Sequence, residues 1–325
     1  MNGNSIAMKT IIDPIPVEKI LEELTLERFF RKTNNGHNEI YILNALNAPN
    51  VMREIGRLRE ISFRDSGGGT GLDCDIDEFD LEGESRFEQL IVWNPVDKAI
   101  VGGYRFLMCD KLKTDENGQV NTPTSELFHY SEQFVKEYLP YTIELGRSFV
   151  QPDYQPSKSL SKGIYSLDNL WDGLGSLIHL LPQARYFFGK VTMYPQLERE
   201  SRDMILYFMK SQFKDPDRLV YPHPELELPI TMDEERLKAL FTGNGYTENY
   251  RILVKNVRER GAAVPPLVNA YMSLSSTMRS FGTALNAPFG NVEETGILVT
   301  IKDISQEKSE RHLNYNPDEK PLHLS

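Results

Sequence analysis

Six charged residues stand where apolar neighbours make a charge expensive: Arg59, Asp77, Asp80, Arg105, Glu144 and Arg147. In Val101-Gly102-Gly103-Tyr104-Arg105-Phe106-Leu107, a guanidinium interrupts glycines and large apolar groups. In Tyr141-Thr142-Ile143-Glu144-Leu145-Gly146-Arg147-Ser148-Phe149-Val150, Glu144 and Arg147 do the same. A charge in such a setting must be paired or must face a cleft. Strand alternation points Glu144 away from Arg147 unless the strand bulges at Gly146, in which case both turn towards one site. The plain alternative is an ion network that orients strands, and the two roles are compatible.

Spacing removes several other chemistries. None of His37, His129, His179 and His223 is followed five residues later by Asp, and no Gly-x-Ser-x-Gly elbow or Walker loop occurs. The glycine-rich stretch Ser66-Gly67-Gly68-Gly69-Thr70-Gly71 fails the dinucleotide fingerprint, because Leu72 stands where its last glycine belongs. Arg279-Ser280-Phe281-Gly282-Thr283-Ala284 matches a coenzyme A pyrophosphate loop in letters. Such a loop works only through free N–H groups opening a helix, and this one sits on an expected strand followed by Asn286-Ala287-Pro288. Cys74 lies among Asp73, Asp75 and Asp77, which oppose a thiolate, and Cys109 reads as strand packing. His179, flanked by apolar residues, reads as a packed side chain.

The elements that must position these residues follow from periodicity. Pro16 to Arg31 is expected as an amphipathic helix, Glu39 to Leu46 as a strand, and Pro49 to Arg64 as a helix opened by proline. Ser66 to Gly71 is expected to be a mobile loop, given the backbone entropy of glycine. Phe87 to Trp93 and Ala99 to Met108 read as a hairpin turning through Asn94-Pro95-Val96-Asp97, and Tyr141 to Val150 as a further strand. Leu167, Leu170, Trp171, Leu174, Leu177, Ile178 and Leu181 form a helical core stripe. Arg185 to Met193 reads as strand, Leu197 to Phe213 and Pro265 to Ser275 as helices, and Met278 to Leu285 and Gly296 to Ile304 as strands. A tight hairpin followed by strands separated by helices implies a mixed sheet in an α/β protein. Beyond Asp303 the charged, proline-containing chain is expected to fray.

Composition sets the outer limits. With 325 residues, 40% apolar, the chain is globular and long enough for one large core or two fused ones. A net charge of -11 argues against a general nucleic-acid or anionic-membrane binder. Two cysteines give neither a disulfide scaffold nor a zinc or redox spacing, which fits a reducing compartment. The acidic first thirty residues are not expected to be a signal peptide, and no apolar run spans a membrane.

Four ordered motifs carry a family resemblance: Arg59/Phe63, Asp77/Asp80, Gly102/Arg105 and Glu144/Arg147. Together with Leu170-Trp171-Asp172-Gly173-Leu174, Phe188-Gly189-Lys190-Val191 and Val264 to Tyr271, they resemble the hemolysin-like GNAT-type N-acyltransferases. These are similar to bacterial ornithine- and glycine-lipid synthases and, more distantly, to acyl-homoserine-lactone synthases. The resemblance spans roughly residues 40 to 303. The glycerolipid acyltransferase domain fused to many such proteins is not expected within these 325 residues, and the first forty residues carry no part of the resemblance.

The resemblance implies a GNAT-like α/β fold: a mixed, mostly antiparallel central sheet flanked by helices. It frames a helical extension at 1–38, an N-acyltransferase domain at 39–303 and a charged tail at 304–325. It implies transfer of a fatty or 3-hydroxy fatty acyl group from acyl carrier protein to the amine of an amino acid, glycine first and ornithine second. Acyl-coenzyme A as donor and a non-catalytic acyl or carrier-protein binding module are the alternatives. No bound cofactor and no metal is expected, the acyl thioester being a co-substrate. Glu144 is the expected base, with Arg147 beside it, since an amine must lose a proton to attack a thioester. Backbone N–H groups at Gly146 to Phe149 would hold the oxyanion. Arg105 or Arg147 would fork onto the acceptor carboxylate, Asp77 and Asp80 would order the loop or bind the acceptor ammonium, and Arg59 and Phe63 complete the substrate site. Docking an acidic carrier needs a local basic area, for which Lys158, Lys162, Arg185 and Lys190 are candidates. The expected setting is cytoplasmic, at most peripheral to the inner membrane.

Overall fold

The computed structural model describes residues 8–83, 85–155, 158, 163 and 165–313. Its strands are β1 (Phe29–Lys32), β2 (Glu39–Leu43), β3 (Glu88–Asn94), β4 (Ala99–Met108), β5 (Phe128–Tyr130), β6 (Thr142–Val150), β7 (Tyr186–Met193), β8 (Val220–Pro222), β9 (Arg279–Asn286) and β10 (Val292–Thr300). The helices of most consequence are α1 (Val17–Glu23), α2 (Pro49–Asp65), α3 (Glu78–Leu81), α4 (Ser166–Leu180), α5 (Arg199–Gln212), α6 (Glu234–Leu240), α7 (Tyr246–Glu259) and α8 (Pro266–Met272). The chain forms two compact units, one of Met1–Lys111, Ile143–Ala184 and Gln306–Ser325, the other of Leu112–Thr142 and Arg185–Ser305.

In the first unit β1, β2, β3, β4 and β6 pair antiparallel in that order. The β3–β4 hairpin turns where expected, because the Asn94 side chain accepts from the Val96 and Asp97 N–H groups. α2 buries Val51, Met52, Ile55, Leu58 and Phe63. Its N-cap, Ala48, has no side-chain acceptor, and the Glu23 carboxylate takes the Asn50 and Val51 N–H groups instead. α4 packs Leu170, Trp171, Leu174 and Leu177 into the core. Gly173 allows the approach, since a Cβ there would lie 2.7 Å from both Leu90 Cδ2 and Tyr104 Oη.

In the second unit β10 pairs antiparallel with β7 and β9, and β5 with β8. α5 buries Met204, Ile205, Phe208 and Met209, and Phe208 meets the rings of Phe213, Tyr246 and Tyr250. Every pairing within a unit is antiparallel, and helices flank the strands, so the α/β, mostly antiparallel architecture holds. Among the described residues no helix is long and apolar enough to cross a membrane.

Five local expectations change. The helix expected over Pro16–Arg31 stops at Glu23: Arg28 Nη1 donates to Glu23 O at 2.5 Å, and Phe29–Lys32 pairs with β2. β10 begins at Val292, before the expected Gly296, because Glu293 is held by Arg199 and Arg202 and Glu294 by Lys190 and Asn286. α6 and α7 occupy a stretch for which no element was expected. The chain beyond Asp303 stays packed as far as Leu313: His312 is buried against α4, its Nδ1 2.9 Å from Asp172 Oδ1. Conversely, His179 is exposed on α4.

Candidate active site

The charged residues singled out by the sequence meet in the first unit. Arg59, wholly buried on α2, donates Nη1 to Asp80 Oδ2 at 3.0 Å and Nη2 to Gln89 Oε1 at 2.5 Å. Gln89 Nε2 in turn donates to Asp80 Oδ1 at 2.9 Å. Asp80 also accepts from the Asp77 N–H, closing the N-terminus of α3. From β4, Arg105 Nη1 lies 2.6 Å from Asp77 Oδ1 and 3.1 Å from Asp80 Oδ2, with its guanidinium 5.0 Å from the Phe87 ring centre. Arg147 continues the chain, its Nε 3.0 Å from Asp75 Oδ2 and its Nη2 3.5 Å from Asp77 Oδ2. Cations and carboxylates thus alternate from Arg59 to Asp75, which makes so much buried charge tolerable.

Burial pushes the Asp80 carboxyl up, but Arg59 and Arg105 together pull it well below the usual carboxylate range. Burial likewise acts to lower Arg105, yet Asp80 and Asp77 hold it above its ordinary value. Asp75 goes the other way: burial raises it, and Arg147 and Arg59 offset only part of that rise. Cys74 is pushed up to about 11 by burial and then by Asp75, which leaves it a thiol at neutral pH.

The register of β6 shows the bulge on which a shared site for Glu144 and Arg147 depends. Gly103 pairs with Phe149 and Arg105 with Gly146, so β6 carries one extra residue across that interval. Arg147 sits in this bulge with φ +52°, a left-handed conformation uncommon outside glycine. Glu144 pairs opposite Leu107 and therefore shares the face of Gly146 and Arg105. It is 1% exposed. Cys109 is close enough that the Glu144 charge, after burial, pushes its thiol well up.

The glycine-rich stretch is a held loop rather than the mobile one expected. Glu60, wholly buried on α2, accepts from Thr70 N and Oγ1, Gly71 N and Arg64 Nε. Arg64 also donates to Lys9 O and Leu72 O, and Lys9 N donates to Gly71 O. Gly67, Gly69 and Gly71 take φ of +91°, +96° and +75°, so here glycine serves conformation instead of flexibility.

Sequence reasoning missed Glu60, Gln89 and Asp75. Asp75 was detectable in the alternation Asp73-x-Asp75-x-Asp77, and Gln89 as a polar residue inside an apolar strand. Phe63 is buried. Of the basic residues expected to receive a carrier, Lys158 pairs with Asp65 at 3.0 Å and Arg185 lies over the Tyr141 ring at 4.1 Å. Lys190 donates to Pro123 O and faces Glu294, while Lys162 falls outside the described residues. The Arg279–Ala284 segment lies on β9, not at a helix start.

A mostly antiparallel sheet flanked by helices is consistent with the GNAT fold, and residues 58–163 match the family described as acetyltransferase (GNAT) domain. Over 306 residues the chain is 55% identical to the glycine N(alpha)-acyltransferase of Bacteroides thetaiotaomicron, covering 94% of this chain and 90% of that protein. It is 52% identical over 306 residues to the glycine N(alpha)-acyltransferase of Phocaeicola vulgatus, covering 94% and 93%. The chain belongs to the GNAT-type N-acyltransferases and is an amide-forming transferase. No solved structure matches it.

Proposed function

We propose that this enzyme transfers a fatty acyl group from acyl carrier protein to the amine of glycine, giving an N-acylglycine lipid. The observation that carries the acceptor is the 55% identity, over 94% of the chain, to a protein named glycine N(alpha)-acyltransferase. The carrier-bound donor follows the family resemblance of the four motifs.

Within this reading the side chains divide by access. Arg105 is already held by two aspartates, so it orders the site, as do Arg59 and Asp80. The Arg147 side chain, 17% exposed, and that of Asp77, 30% exposed, are the members of the chain a substrate reaches. Arg147 takes the acceptor carboxylate and Asp77 its ammonium. Glu144 removes the ammonium proton. The amine nitrogen then attacks the thioester carbon, and the oxyanion is held by N–H groups beside the bulge. Collapse of the tetrahedral intermediate breaks the C–S bond, and the pantetheine sulfur leaves with a proton.

Purified protein incubated with glycine, ornithine and other amino acids against acyl-carrier protein and acyl-coenzyme A, with products read by mass spectrometry, tests each part. N-acylglycine from the carrier-bound donor is expected. A faster reaction with acyl-coenzyme A, the donor that the GNAT domain match favours, would replace the carrier. No amide from any pairing would remove the activity.

A further inference from the structure

On a chain of net charge -11, a cationic surface is a specific feature rather than background. α7 carries one. Arg251, Lys255 and Arg258 recur at i, i+4 and i+7, which places them along one face, and all three are exposed, while Asn249, Leu253 and Val257 are buried. Beside the cations, Tyr250 and Val254 line with them a shallow groove of about 450 Å³, in whose lining the one carboxylate is Glu259. Lys255 lies 3.9 Å from that carboxylate, whereas Arg251 and Arg258 enter no ion pair among the described residues. Neighbouring cations behave differently: Arg260 and Arg236 both hold Glu200 at 2.8 Å.

Unpaired guanidiniums along one edge of an apolar strip, over roughly 10 Å of helix, fit an acidic amphipathic helix. Its carboxylates would meet the arginines while its apolar edge covers Tyr250 and Val254. Charge of this kind chiefly raises the rate of encounter and selects the partner. We infer that the Arg251/Lys255/Arg258 face of α7 docks the acidic helix of the carrier protein that brings the acyl donor. This rests on the carrier-bound donor proposed above, and it stands beside the basic residues expected from sequence, of which Lys158 is paired with Asp65 and Lys190 with Glu294.

The test is the triple variant Arg251→Glu/Lys255→Glu/Arg258→Glu, with amide formation measured against concentration of acylated carrier protein and of acyl-coenzyme A. KM for the carrier-bound donor should rise at least about tenfold, with kcat within about twofold and the response to acyl-coenzyme A unchanged. Added salt should raise the wild-type KM and leave the variant's nearly flat. A saturating kcat near wild type certifies the fold, and the single variant Arg251→Ala, expected to show a smaller rise, serves if the triple variant is poorly folded. An unchanged KM for the carrier, or an equal loss with acyl-coenzyme A, overturns the docking face alone. Wild-type protein that turns over no carrier-bound acyl group overturns the donor reading, and the docking face with it.

Discussion

At the scale of single residues, the proposed mechanism separates groups that order the site from groups that react. Glu144→Gln preserves shape and removes the proposed base, so kcat should fall about 10²- to 10⁴-fold with little change in thermal midpoint. Steady-state rates of amide formation check this, and near wild-type turnover would end the role of Glu144. Asp75 and Asp80, five residues apart, should show opposite pH linkage. The folded protein holds Asp80 below its unfolded value of about 3.9, so its contribution to stability is present above that value and disappears as pH falls through the folded value. Asp75 is raised in the folded state, so it is best tolerated protonated, and stability falls as pH rises from the unfolded value through the folded one. Urea midpoints against pH should therefore decline less with rising pH in Asp75→Asn than in wild type, and decline less towards acid in Asp80→Asn. Parallel curves for all three proteins would contradict both assignments. Most of this cluster was legible because a charge inside an apolar segment demands a partner. Its order was not, because the pairing of Arg59 with Asp80 or of Arg147 with Asp75 depends on contacts between elements far apart in sequence.

At the scale of elements, strong periodicity was read correctly. α2, the β3–β4 hairpin, β6, α4, β7 and α5 lie close to where their apolar patterns put them. Errors arose where tertiary partners outweigh local pattern. α1 ends early because Phe29–Lys32 gains a ladder with β2, and β10 starts early because its two glutamates find cations. The glycine-rich loop teaches the same point. Its composition speaks for mobility, and one carboxylate on α2 reverses that by accepting two N–H groups and a hydroxyl from it. Glu60→Ala should leave those donors unpaired and cost about 1–3 kcal/mol. Hydrogen exchange should quicken across 66–73 while β9 and β10 keep their protection. Unchanged exchange in that loop would show that the glycine conformations alone hold it.

At the scale of the whole molecule, the first unit is discontinuous: its last segment, Gln306–Ser325, returns after the second unit's residues have intervened. No local pattern foretells such a return, and the charge and proline content of that segment point the other way. What holds its described part is specific. His312 Nδ1 donates to Asp172 Oδ1, Asp172 also accepts from the backbone and side chain of Asn34, and His179 contacts Leu313 O. Gly175 lets the segment lie directly on α4, since a Cβ there would fall 2.0 Å from His312 O. Truncation after Ser305 should therefore uncover part of α4 and leave Asp172 short of a partner, at about 1–3 kcal/mol for the unsatisfied group alone. That is several degrees of thermal midpoint, at roughly 2–4 °C per kcal/mol. Gly175→Ala should imitate the loss by forcing the segment away from α4, whereas Glu307→Ala, which alters an exposed side chain of the same segment, should not. A truncated chain that melts with the full-length protein would mean that the His312–Asp172 contact adds nothing to the unit it closes.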